Sequence, residues 1–69
     1  MHIKKGIYRH FKGNYYEVIA QGKDSETMQD VVIYKALYGD GEFWVRPLKM
    51  WNETVEHEGS TVKRFEFIK

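Results

Sequence analysis

A chain of 69 residues with a formal net charge of +1 and no cysteine describes one domain spanning residues 1–69, with neither disulfide staples nor thiolate metal sites. So small a net charge also argues against a strong polyanion binder, and no apolar run approaches the ~20 residues that cross a bilayer. The opening MHIKKG has no long apolar region behind its lysines, so a secretory signal is not expected, and the absence of cysteine fits a cytoplasmic location.

Residues 6–11 read as a first strand, with Tyr8 and His10 on one side and Ile7, Arg9 and Phe11 on the other. Lys12-Gly13-Asn14 is a turn whose residues accept left-handed backbone, and residues 15–21 return as a second strand. The polar Glu17 between Tyr16 and Val18 predicts that Tyr16, Val18 and Ala20 face inward. Residues 22–29 form a polar connection in which Thr27-x-x-Asp30 resembles a capping box, enough for a single 3₁₀ or helical turn.

The run of β-branched and aromatic residues over 31–38 predicts the central strand, with Val32, Tyr34, Ala36 and Tyr38 on one side. Gly39-Asp40-Gly41 supplies a tight reversal, Phe43-Trp44-Val45-Arg46 returns, and Pro47, with no N–H for the ladder, ends that strand. Residues 48–52 predict a bend or 3₁₀ turn that tucks Leu48 and Met50 under the sheet. Residues 53–58 suggest a strand with Val55 inward, Gly59-Ser60 a turn, and residues 62–68 a last strand that pairs with the first. Five to six short strands without an amphipathic helix predict an all-β, partly open antiparallel barrel with one short 3₁₀ or helical turn. A core this small is marginal alone, so the expected state is a monomer or a weak homodimer.

The combination Gly6-Ile7-Tyr8-Arg9-His10-Phe11-Lys12-Gly13, Tyr16-Glu17-Val18, Ser25-Glu26-Thr27, Tyr34 through Gly39-Asp40, and Trp44-Val45-Arg46-Pro47-Leu48 resembles a bacterial family of small proteins, domain-of-unknown-function family 1653. The resemblance covers nearly the whole chain and implies an SH3-like barrel. It carries over no catalytic residue, and Asp24 stands where the family favours a histidine, which weighs against metal or acid–base chemistry at that loop.

Three groupings stand out as binding candidates. Tyr8, Arg9 and His10 share the first strand, with Tyr8 and His10 on one face. Trp44 and Arg46 sit two apart, hence on one face, in the composition of a binding hot spot; the alternative puts Trp44 in the core and Arg46 against Glu26 or Glu53. Ser25, Glu26 and Thr27 offer hydroxyls and a carboxylate, or simply cap a turn. Aromatic residues, at 16% of the chain, exceed what five strands need to bury, so Tyr8, Tyr34, Tyr38, Trp44 and Trp51 are expected to line a groove that docks an extended segment. The leading expectation is a non-catalytic module that binds a protein segment or small ligand. Nucleic-acid binding through Lys4, Lys5, Arg9 and Lys12 is a second, and a small hydrolase using Ser25, Glu26 and His10 a third. His2, His10 and His57 are scattered, no Gly-x-Ser-x-Gly elbow or phosphate loop is present, and no metal or cofactor is expected.

Overall fold

The computed structural model describes residues 2–69, so Met1, the first residue of the stretch read for a signal, lies outside it. The elements are β1 Gly6–His10, β2 Tyr15–Lys23, β3 Asp30–Ala36, β4 Phe43–Pro47, α1 Leu48–Trp51, β5 Thr54–His57, β6 Ser60–Lys63 and β7 Phe65–Phe67. Five strands form one antiparallel sheet in the order β4-β3-β2-β1-β7, and β5-β6 is a separate hairpin. The last strand pairs with the first, as expected, and β4 and β7 lie unpaired at the two ends. The result is a small SH3-like barrel, all-β and partly open.

Alternation sets the inner face. Tyr8, Val18, Val32, Tyr34 and Phe65 are buried and pack with Leu48 and Trp51 of α1 as one core. Pro47 ends β4, and the chain turns into α1, where residues three apart share a face. That spacing buries Trp51 beside Leu48 and leaves Met50 at the surface, so the inward residue is Trp51 and not Met50.

Further differences follow from local geometry. The β2–β3 register shifts between Val18 and Ala20, so Ile19 is an extra residue. Beyond this bulge the faces exchange: Ala20 pairs with Ile33 on the outer face, and Gln21, opposite Val32, turns inward, where its Oε1 accepts the Ile3 N–H at 2.8 Å. The expected capping box is replaced by a cap from Asp24, whose Oδ1 accepts N–H bonds from Glu26 at 2.8 Å and Thr27 at 3.1 Å. The final stretch divides in two at Arg64, giving seven strands. There the Arg64 N–H donates to Glu53 O at 3.0 Å and its C=O accepts from Phe11 N–H at 3.0 Å, so the chain changes partner from the β5 side to the β1 side.

Candidate binding surface

The β3–β4 ladder places Tyr34 opposite Trp44 and Val32 opposite Arg46, so all four share the inner face. Tyr34 is 5% exposed because the sheet continues on both sides of it, whereas Trp44, one strand further out, is 49% exposed. Tyr38 follows β3 into the Gly39–Gly41 reversal and is 47% exposed. Positive φ at both Gly39 (56°) and Gly41 (67°) brings that loop round beside Trp44, with a shallow recess of about 150 Å³ between them.

Behind these exposed rings stands Tyr16, half-buried on β2. Its ring meets Tyr34, Tyr38 and Phe65 edge to face at centroid distances of 5.4, 5.5 and 5.7 Å. Its hydroxyl shares a 2.8 Å hydrogen bond with that of Tyr38. Burial and this bond push the Tyr16 hydroxyl up to about 12, so it stays a neutral donor at any physiological pH. Arg46 closes the group from β4. Its guanidinium lies 5.6 Å from the Phe65 ring centroid, and its Nε donates to the Tyr34 hydroxyl at 3.4 Å. Among the described residues no carboxylate forms an ion pair with Arg46, so neither Glu26 nor Glu53 is its partner; Glu53 pairs with Arg64 at 3.5 Å.

His10 borders the same ring, 5.0 Å from Phe65 and 6.4 Å from Tyr16. Its Nδ1 accepts the Lys12 N–H at 3.1 Å, an arrangement of the neutral ring. Burial, then the positive charges of Arg64, Arg46 and Lys12, lower its proton affinity. Arg64 Nε is itself buried without a hydrogen-bond partner. Around Phe65, therefore, positive charge exceeds negative, and the chemistry on offer is aromatic contact with hydrogen-bond donors for an anionic or carbonyl group.

The other expected residues lie elsewhere. Tyr8, Tyr34 and Trp51 belong to the core, at 7%, 5% and 2% exposure, so the five-ring groove is replaced by a two-ring surface of Tyr38 and Trp44. The physical reason is sheet order: β1, β2 and β3 are interior strands, and α1 covers their inner face. The Tyr8 hydroxyl donates to Lys4 O at 2.7 Å, and its ring meets a separate recess beside Ile3 and Phe67. Arg9 points to the outer face and approaches Glu66 at 3.8 Å. Ser25, Glu26 and Thr27 are exposed on the Asp24-capped turn, whose backbone bonds hold the Asp24 carboxyl below its ordinary range.

That turn lies at the far end of β2 from His10, roughly 26 Å away along nine residues. Ser25 and Glu26 therefore do not meet His10, and the hydrolase grouping is dispersed. The basic residues are likewise engaged singly: the Lys4 ammonium lies 4.5 Å from the Phe67 centroid and that of Lys12 5.8 Å from Phe11. Among the described residues no three His, Cys, Asp or Glu side chains gather to hold a metal ion.

Two features escape sequence reasoning. Tyr16 reads as core, and only the position of Tyr38 makes it part of the surface. An apolar groove of about 530 Å³ lies among Met28, Pro47, Leu48 and Lys49, with Met28 68% exposed at φ 64°. No periodicity signals it, because the groove joins the β2–β3 turn to the start of α1.

The fold and this surface define a small all-β protein with an aromatic core, one open strand edge and a half-exposed aromatic–arginine face. The chain belongs to the family described as protein of unknown function (DUF1653), which matches residues 6–67. It is similar to a crystal structure of a protein belonging to DUF1653 from Bordetella bronchiseptica, with a TM-score of 0.89 and 34% identity over 96% of this chain and 87% of that one. None of the curated proteins compared with it matches.

Proposed function

We propose that this protein is a non-catalytic, cytoplasmic binding module that recognises a protein segment or small ligand through Tyr38, Trp44 and Arg46. The observation that carries this reading is Trp44. A tryptophan half exposed on the inner face of a sheet, two residues from an arginine with no carboxylate partner, is the composition of an interface anchor. Trp44 and Tyr38 supply contact area at low entropy cost, and Arg46 orients a carbonyl or carboxylate. The recess between the rings is too shallow to enclose a small molecule, which favours an extended segment lying across it. Nucleic-acid binding draws less support, since Lys4, Arg9 and Lys12 each face a ring or an acid on different parts of the surface.

The test is selection of extended peptides from a displayed library, read by protection of Trp44 fluorescence from acrylamide. Trp51 is buried and contributes a quencher-resistant background. Selected peptides are expected to protect the wild type and to lose binding in Trp44→Ala and Arg46→Ala. Peptides that bind both variants as well as the wild type would refute the proposal.

A further inference from the structure

The outer edge of β4 carries information independent of its side-chain faces. The Ala36 N–H donates to Glu42 O at 2.9 Å, and the Leu37 N–H donates to Tyr15 O at 3.0 Å. In an antiparallel ladder the bonded pairs alternate, so even-numbered residues of β3 bond β4 and odd-numbered ones bond β2. Glu42, Trp44 and Arg46 thus spend their backbone groups on β3. Phe43 and Val45 aim N–H and C=O at the open side, where no strand pairs.

This edge is unguarded. Phe43, Trp44 and Val45 are exposed by 64%, 49% and 63%, the β3–β4 register has no bulge, and the segment holds no lysine. Natural edge strands are ordinarily blunted by such features, and an apolar edge without them is a template for strand pairing.

We infer that the β4 edge is an interface between two copies of this chain, which pair antiparallel with Trp44 facing Trp44 across a two-fold axis. In that register Phe43 faces Val45 of the second copy, and these are the residues whose backbone groups are free to bond. Glu42 faces Arg46 of the second copy, twice, so the unpaired Arg46 gains a carboxylate and the exposed Glu42 a cation. The side chains of Glu42, Trp44 and Arg46 fall in non-bonded pairs, where cross-strand side chains approach most closely. The chain therefore supplies both halves of a complementary edge. A two-fold contact of this kind consumes both open β4 edges and closes on itself, so it ends at a dimer and not a fibre. It would join two five-stranded sheets into one and bring both aromatic faces to the same side.

The test is sedimentation equilibrium from micromolar to millimolar protein. Wild type is expected to dimerise with rising concentration. Val45→Pro removes an N–H that points away from β3, so the fold persists, checked by its amide NMR spectrum, while the dimer is lost. Glu42→Arg and Arg46→Glu each place like charges opposite one another twice and are expected to weaken self-association about tenfold or more. Mixed together, those two variants restore both ion pairs and form a heterodimer, a result that does not depend on Val45→Pro folding. A wild type still monomeric at millimolar concentration, a dimer that survives Val45→Pro, or singly reversed variants that fail to combine would each overturn the inference. Monomeric protein that nonetheless takes up an extended peptide at this edge would do so as well. Val45→Pro keeps the Trp44 and Arg46 side chains, so peptide protection of Trp44 reports on the binding proposal separately.

Discussion

Trp51 lies flat on Phe65, with ring centroids 3.7 Å apart and planes 2° from parallel. It is the only flat stack among the described aromatic pairs; the others meet tilted or edge to face. The contact ties the short α1 to β7, which joins the sheet only through β1. Tyr8 and Tyr34 meet Trp51 by their edges at 5.3 and 4.8 Å, so one indole unites three strands and the helix. Trp51→Ala is therefore expected to cost about 3–5 kcal/mol, the range for a buried large aromatic. Native stability at this size stands near the lower end of about 5–15 kcal/mol, so the variant should be largely unfolded at room temperature in urea titration or circular dichroism. Trp51→Phe should fold, with a lower midpoint.

Gly6 begins β1 at φ 142°, and a Cβ there would stand 2.6 Å from Lys69 O and 2.9 Å from Phe67 Cε1. The close approach lets the Ile7 N–H donate to Lys69 O at 2.8 Å and the Ile68 N–H to Ile7 O at 2.8 Å, which fastens the end of the chain to β1. Gly6→Ala should destabilise by about 1–3 kcal/mol through overpacking and backbone strain. The accompanying sign is faster amide exchange at Ile68 and Lys69. Unchanged exchange there would remove the argument.

Glu58 and Gly59 turn the β5–β6 hairpin with φ of 51° and 79°. Two consecutive left-handed residues are the geometry for which Asn-Gly is favoured, and glutamate is strained in the first position. Glu58→Asn should raise stability by about 0.5–1 kcal/mol. The ion pair lost with it, to His57 at 3.7 Å, is exposed and contributes little. A thermal melt that shows no gain would point to a different turn.

Much of the frame was legible because a period of two is hard to mistake. Val32, Tyr34 and Ala36 alternate inward as their spacing indicates, and Pro47 ends β4 where its missing N–H requires. The misreadings have local causes. A bulge at Ile19 carries no compositional signal, yet it reverses Ala20 and Gln21. Trp51 rather than Met50 faces inward because four residues after a proline took helical spacing. For the surface, spacing did place Trp44 and Arg46 on one face. It did not separate Tyr34 from Trp44, because those residues differ only in whether another strand lies beyond them, and strand order is a long-range property.

His10 sets a pH dependence with a definite sign. Burial and the charges of Arg64, Arg46 and Lys12 lower its proton affinity from the ordinary value of 6.5. The unfolded chain then takes up the proton at higher pH than the folded one. Stability is untouched above about 6.5, falls as the pH drops through the window between the two values, and levels off below the folded one. His10→Gln should flatten that part of the profile in urea titrations at successive pH values. In the wild type, an NMR titration of the His10 ring should give a midpoint below 6.5. A midpoint at or above that value would mean the cations do not converge on the ring.

Trp44 and Trp51 offer a paired test of which ring serves the fold and which the surface. Trp44→Ala removes a half-exposed side chain at an edge strand, so its stability should stay within about 0.5 kcal/mol of wild type. What remains is emission from Trp51 alone, which should be blue-shifted and resistant to acrylamide, as befits a residue 2% exposed. The wild type should show a second, red-shifted and quenchable component from Trp44. If Trp44→Ala lost several kcal/mol, the ring would be a packing element of the sheet edge. The surface assigned to Tyr38, Trp44 and Arg46 would then lose its anchor.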